Sequence, residues 1–407
     1  MNDIKYIDGG VCSAKGFKAA GVFAGFRKNK TKKDLALIVS DRICSAAAVY
    51  TTNKVKGAPI AVTKKHLADG TAKAIICNSG NANTCAPEGT LVAEETCKLA
   101  AEALGLKVDD IAVSSTGVIG EKLSLEPFKE GIPLLVEQLS YNGSDDAAAA
   151  IMTTDRIAKS IAVEFVLDGK KCTIGGIAKG SGMINPNMAT MLSFITSDVN
   201  ISHEMLQKAL SKDIKTSFNQ ICVDGDTSTN DTVLVLANAM AENSIIDSEG
   251  ENFDIFCEAL SKVTVYLAKK MARDGEGATK LIECNVSGAI DAETAQKISK
   301  SVISSTLFKA AMFGADANWG RALCAIGYTD GDFSIENVDV VMRSAKGSVL
   351  VCKASEAADY SEEKATEILS EEEIIIDVNM NQGSASASAW GCDLTYDYVQ
   401  INGSYRS

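Results

Sequence analysis

The sequence predicts an α/β protein. Three observations carry this. Short β-branched runs alternate with stretches in which Ala and Leu recur at helical spacing. Ser160–Leu167 and Lys171–Ile177 are two apolar-rich runs joined by Asp168-Gly169, a hairpin signal. The chain has 407 residues, 46% of them hydrophobic. That is ample for a core, and long enough for one two-lobed domain or for two domains.

Leu91–Leu106 is the first clear helix, with Ala and Leu on one stripe. Ile111–Ser115 reads as a strand that ends in a turn at Thr116-Gly117. The segment Tyr141–Ala150 opens as a turn and runs into a helix. The hairpin follows. Thr190–Thr196 is a strand entered from a Gly-rich, Pro-fixed loop. Met205–Phe218 is helical, and Ser202 is placed to cap its start. Thr232–Ala239 is a strand and Phe253–Arg273 a long helix. Leu281–Ser287, Glu373–Asn379 and Leu394–Ile401 read as strands.

Composition excludes several functions. The formal net charge is −13, with no basic stripe, so a nucleic-acid partner is not expected. Residues 1–10, MNDIKYIDGG, lack a basic stretch followed by an apolar one, and no apolar run is long enough to span a bilayer. The expectation is a cytoplasmic protein without a membrane partner. The 12 cysteines are scattered, none in a CxxC pair, so no metal site is expected and reduced, hydrophobe-like cysteines are. Histidine occurs only at His66 and His203. His66 follows two lysines and reads as a solvated helix end. His203 follows the capping Ser202. A Ser–His or Cys–His catalytic pair would have to draw on one of these, and neither lies near a nucleophile-like segment.

The chemistry-bearing segment is Lys179–Asp198, KGSGMINPNMATMLSFITSD. Gly180 and Gly182 flank Lys179 with backbone that can approach a ligand closely. Asn185, Pro186 and Asn187 constrain a turn just before Ala189. Thr190 stands at a loop-to-strand junction, where strain can be stored. A threonine hydroxyl there can attack the preceding carbonyl, and water then opens the resulting ester. The product begins at Thr190 with a free α-amine. Such an amine titrates near pH 8 when unperturbed, so it can act as base for its own hydroxyl. No histidine is required.

KGSGMINPNMATML resembles the processing motif of the ornithine acetyltransferase family, also called bifunctional glutamate N-acetyltransferase. The resemblance runs nearly end to end. It includes GGVCSAKGFKAAGV (Gly9–Val22), TTNKVKGAPI (Thr51–Ile60), NSGNANTC (Asn78–Cys85), SSTGVIGEKL (Ser114–Leu123) and IMTTD (Ile151–Asp155). It continues through DGDTSTNDT (Asp224–Thr232), RDGEGATK (Arg273–Lys280), GADANWGRAL (Gly314–Leu323) and the terminal INGSYRS.

The resemblance implies a self-processing, layered αββα-type fold with a second smaller α/β lobe. It implies a cut at Ala189-Thr190, giving an amino-terminal piece 1–189 and a carboxyl-terminal piece 190–407. Thr190 would be the nucleophile of cleavage and of acetyl transfer. Thr116 and Gly117 would form the oxyanion hole. Thr153, Lys179, Thr190, Glu276, Asn402 and Ser407 would bind substrate, with Lys179 suited to a carboxylate and Glu276 to an ammonium. The reaction implied moves acetyl from N2-acetyl-L-ornithine to L-glutamate in arginine biosynthesis. No cofactor is implied, and acetyl-CoA is a second donor in some members. Two copies of each piece would form a heterotetramer. The competing class is a self-processed amidohydrolase or aminopeptidase using the same threonine. The polar DGDTSTNDT segment receives no role from the sequence.

Overall fold

Strands Lys159–Leu167 and Lys170–Lys179 pair antiparallel from Lys159↔Ala178 to Leu167↔Lys170. Asp168 and Gly169 turn between them with φ of 51° and 73°, the two left-handed positions of a tight hairpin. The hairpin signal is therefore met residue for residue. The computed structural model describes residues 3–185 and 191–404. Ala189, Thr190 and Ser407 lie outside the described residues.

The first strands are β1 Lys5–Ile7, β2 Phe17–Val22, β3 Leu35–Tyr50, β4 Thr71–Asn81, β5 Ile111–Val118, β6 Lys159–Leu167, β7 Lys170–Lys179 and β8 Leu192–Ser197. Then come β9 Ile221–Cys222, β10 Thr232–Ala237, β11 Leu281–Ala289, β12 Asp339–Ser344, β13 Gly347–Lys353, β14 Glu356–Ala357, β15 Glu373–Asn379 and β16 Ala385–Cys392. The helices are α1 Ala58–His66, α2 Gly89–Leu104, α3 Glu126–Gln138, α4 Ser144–Ile151, α5 His203–Asp213 and α6 Glu251–Arg273. The remaining helices are α7 Ala292–Ser304, α8 Thr306–Phe313, α9 Trp319–Gly327, α10 Glu362–Leu369 and α11 Tyr396–Gly403.

They divide into two units. The first comprises Met1–Gly180, Pro186–Phe218 and Thr227–Leu267. Its sheet runs β1-β6-β7-β8-β10-β3-β4-β5, with β2 on β3. Side chains alternate across β3 as strand geometry requires. Leu35 and Leu37 join Val62, Val92, Cys97, Phe128 and Ile132 of α1, α2 and α3. Ala36 and Ile38 join Phe17, Ile177, Phe194 and the Ala147–Ile151 stretch of α4. Helix α6 lies close on β7, because a Cβ at Gly176 would sit 3.1 Å from both Val263 and Leu267.

The second unit comprises Ser181–Asn185, Asn219–Asp226 and Ala268–Ser407. Its sheet runs β14-β13-β12-β15-β11-β16-β9. Ile282, Cys284 and Val286 of β11 pack with Ile298 and Val302 of α7 and with Ile368 and Leu369 of α10. The α/β class and its second, smaller lobe are borne out.

Four sequence expectations change. The strand from Ile111 does not turn at Thr116-Gly117 but continues to Val118. Helix α5 stops at Asp213, and a short 3-10 turn forms only at Phe218–Gln220. Leu394–Ile401 is not a strand: α11 covers Tyr396–Gly403. Its apolar alternation faces solvent, with Tyr396 83% and Val399 69% exposed, so nothing drives it into a sheet. His66 is buried, not solvated, and its Nδ1 lies 2.8 Å from the Ile111 carbonyl oxygen.

Asp213 ends α5 against α6. Burial pushes its carboxyl up to about 6, against the Ser217 hydroxyl, which donates to Asp213 Oδ2 at 3.0 Å and works the other way. The folded chain thus holds this proton to a higher pH than the unfolded chain. The penalty appears as pH rises from about 4 to 6 and is complete above that. Asp213→Asn is expected to stabilise the protein at pH 7.5 by up to about 3 kcal/mol, and not at pH 4. Thermal melts at both pH values check this. An equal shift at both would contradict it.

Candidate active site

The site in the first unit is built on the paired ends of β4 and β5. These strands run parallel from Ala74↔Ile111 to Gly80↔Gly117, and the register shifts at Asn81. Such a bulge re-aims the strand end. Gly117 has φ 132°, and a Cβ there would lie 2.3 Å from the Gly80 carbonyl carbon. Only glycine allows the two backbones this close. That non-local approach, not a turn, is why glycine stands at 117. Below it, Ser115 Oγ donates to Asn78 Oδ1 at 2.6 Å, and Asn230 Nδ2 donates to the Ser115 carbonyl at 2.8 Å. The Asn230 contact comes from the DGDTSTNDT segment, whose role is thus to brace β5.

Lys179 ends β7. Its Nζ donates to Thr116 Oγ1 at 3.4 Å. A hydroxyl that accepts from an ammonium keeps its own hydrogen for another acceptor. The Thr116 hydroxyl hydrogen therefore points to an acceptor other than Lys179. Burial pulls the Lys179 ammonium below its ordinary value of 10.5, with Asp155 opposing.

Asp155 ties the cluster together. Its Oδ1 accepts from Lys159 Nζ and from the Gly180 N–H, each at 2.7 Å, and its Oδ2 accepts the Thr153 N–H at 2.9 Å. The side chains of Lys159 and Asp155 are both 0% exposed. Burial alone would raise the Asp155 carboxyl, but the Lys159 and Lys179 ammoniums and the Gly180 N–H outweigh it and hold it below the usual carboxylate range. Thr116, Thr153 and Lys179 are thus brought together around Asp155, and Gly117 directly follows Thr116 in the chain. Asp155 sat inside the quoted IMTTD block without a role. Its signal was an acidic residue beside an apolar helix, which becomes decisive only once both lysines are buried with it.

The second unit holds Glu276 and Asn402. Asn402 Nδ2 in α11 donates to Glu276 Oε2 at 2.7 Å. The Glu276 N–H donates to the Ser181 carbonyl at 2.8 Å. Gly182 abuts the same carboxylate, since a Cβ there would lie 2.4 Å from Glu276 Oε2. Asp224 fastens the segment that leads to the predicted cut. Its oxygens accept the Met183 N–H at 2.6 Å and the Ile184 N–H at 2.8 Å. Asn185 Nδ2 donates to the Gly225 carbonyl at 3.0 Å. Met183 is held at φ 56°, a left-handed conformation that costs a methionine about 1 kcal/mol. The constrained approach to Ala189 is real as far as Asn185. The predicted Thr190 and Ser407 lie outside the described residues.

Among the described residues no group of three His, Cys, Asp or Glu side chains is placed to hold a metal, and no helix is long and apolar enough to cross a membrane.

A model of the ArgJ family matches residues 18–407. The chain belongs to the ArgJ family. It is 48% identical over 405 residues to the "Arginine biosynthesis bifunctional protein ArgJ" of Caldanaerobacter subterraneus subsp. tengcongensis, covering 99% of this chain and 100% of that one. The Geobacillus kaustophilus protein of the same name is 49% identical over 402 residues, covering 98% and 97%. The crystal structure of the Bacillus halodurans protein of that name is 48% identical with a TM-score of 0.51, covering 53% of this chain and 100% of that one. ArgJ family membership bears out the expected acetyltransferase of arginine biosynthesis.

Proposed function

We propose that the protein transfers the acetyl group of N2-acetyl-L-ornithine to L-glutamate through an acetyl ester on Thr190. The observation that carries this reading is the Lys179–Thr116 pair at the end of β5, in a chain of the ArgJ family. Thr190, released by the cut at Ala189-Thr190, attacks the acetyl carbonyl. The Thr116 hydroxyl and the Gly117 N–H take the oxyanion. Ornithine leaves, glutamate's amine attacks the ester, and N-acetylglutamate departs. Thr153, Lys179, Glu276, Asn402 and Ser407 bind the substrate, with Lys179 taking a carboxylate and Glu276 the ammonium. The cycle uses no cofactor, and acetyl-CoA serves as a second donor to glutamate. The working assembly is two copies each of 1–189 and 190–407, in the cytoplasm.

The test is mass spectrometry after mixing the protein with acetylornithine, with and without glutamate. A gain of one acetyl group on the 190–407 piece, discharged to N-acetylglutamate on adding glutamate, is the expected result. Acetate release at a rate indifferent to glutamate would instead assign a hydrolase. A parallel assay with acetyl-CoA and glutamate decides the second donor.

A further inference from the structure

The peptide group that joins Met152 to Thr153 is gripped at both ends. Its oxygen, the Met152 carbonyl, accepts from Arg27 Nη2. Its N–H, on Thr153, donates to Asp155 Oδ2 at 2.9 Å. A cation thus holds the oxygen of one amide while an anion holds its hydrogen, and charged partners make the stronger hydrogen bonds. Turning that plane would break both. The Thr153 hydroxyl, by contrast, forms no hydrogen bond among the described residues. The backbone of Thr153 is fixed, and its side-chain donor and acceptor are left for a ligand.

Arg27 opens a basic run, RKNKTKK, in which Lys28, Lys30 and Lys32 are exposed and Arg27 is half-buried. The end of α4 accounts for the difference. Helix α4 stops at Ile151, and the last carbonyls of a helix have no partners within it. Ser79 Oγ donates to the Ala150 carbonyl at 2.5 Å, and Arg27 takes the Met152 carbonyl just beyond the helix end. A cation there also matches the negative end of the helix dipole.

Arg27 is itself anchored. Its N–H donates to Asp34 Oδ2 at 3.1 Å, and the Ala24 N–H donates to Asp34 Oδ1 at 2.6 Å. The Asp34 carbonyl accepts the Ser79 N–H at 2.8 Å. The Arg27 stem runs against Gly80, where a Cβ would lie 3.0 Å from Arg27 Cγ. Gly80 is the residue that Gly117 approaches. One side chain therefore reaches from the end of β4 and β5 to the peptide before Thr153.

We propose that Arg27 is a positioning residue for the transfer reaction. It clamps the Met152–Thr153 peptide against Asp155 and so sets where the Thr153 hydroxyl stands relative to Thr116 and Gly117. This rests on the reading of Thr153 as a substrate-binding residue.

The test is a double-variant cycle on the cut protein: Arg27→Met, Thr153→Val and the two together, read as kcat and KM for acetylornithine. Arg27→Met keeps a stem beside Gly80 and removes the donors. It is expected to raise KM about tenfold and to leave kcat within about twofold. In the Thr153→Val background the same change should raise KM no further, because the hydroxyl it positions is gone. Arg27→Lys, which keeps a cation, should recover part of the lost affinity. KM reads only folded sites, so a loss of stability alone produces neither the KM rise nor its disappearance in the double variant. A parental KM in Arg27→Met, or KM effects that multiply in the double variant, would overturn the proposal. If Arg27→Met does not fold, Arg27→Gln carries the same cycle with the same two overturning outcomes. A parental KM in Thr153→Val would overturn the substrate role of Thr153 itself, a separate failure.

Discussion

Thr190→Ala yields an uncut chain near 42.8 kDa with no acetyl transfer. The alanine has no oxygen to attack the Ala189 carbonyl, so no ester forms and no α-amine is released. The nucleophile and its base are lost together, because both belong to residue 190. Transfer should fall at least about a thousandfold. The fold should survive. Leu192–Ser197 stays held by its register with β7 and β10, and neither pairing uses the Thr190 side chain. Denaturing electrophoresis and a thermal melt check both halves of the statement. A cut and active Thr190→Ala protein would remove the assignment.

Asp155→Asn should be the most destabilising single change in the site. It removes the carboxylate that pairs with Lys159, whose side chain is 0% exposed, and that faces the buried Lys179. Breaking a buried pair by removing one partner costs about 3–5 kcal/mol. In a protein of this size that is a fall in Tm of roughly 4–6 °C. Asn has one acceptor oxygen where Asp155 had two, so the Gly180 and Thr153 N–H groups cannot both be kept. KM for acetylornithine should therefore rise along with the loss of stability. The pH dependence follows from the depressed carboxyl. Its stabilisation is present above the unfolded value near 4 and fades as pH falls toward the folded one. The melting difference between parent and variant should thus shrink below pH 4. A difference that stayed constant down to pH 3 would mean the charge is not what matters.

Local chemistry was legible wherever a few neighbouring residues decided the outcome. Asp168-Gly169 carried the hairpin because both positions need positive φ. Ser202 carried the start of α5, where its hydroxyl accepts the Met205 N–H. Family motifs pointed to Thr116, Gly117, Thr153 and Lys179, and the fold brings Thr153 and Lys179 to one carboxylate, with Thr116 on Lys179. What was missed depended on distant partners. Gly117 looked like a turn because its close neighbour, Gly80, lies 37 residues away along the chain. Asp155 received no role within its quoted block, since the burial that gives it force comes from distant packing. Leu394–Ile401 alternates like a strand. A helix forms there because Thr395 is extended as its N-cap and Asp397 sits in the first turn, where the helix dipole favours an acid.

The order of strands in the first sheet has a consequence for refolding. Strand β8 lies between β7 and β10, and β10 pairs with β3. After a cut at Ala189-Thr190, β7 and β3 would belong to one chain and β8 and β10 to the other. The two pieces would be interleaved within a single sheet. Folding of the uncut precursor is a first-order event, but recovery of the cut protein from denaturant requires two chains to meet. Its yield and rate would depend on protein concentration, as for an obligate dimer. A single covalent passage through the folded state thus makes an assembly that its own fragments could rebuild only by collision.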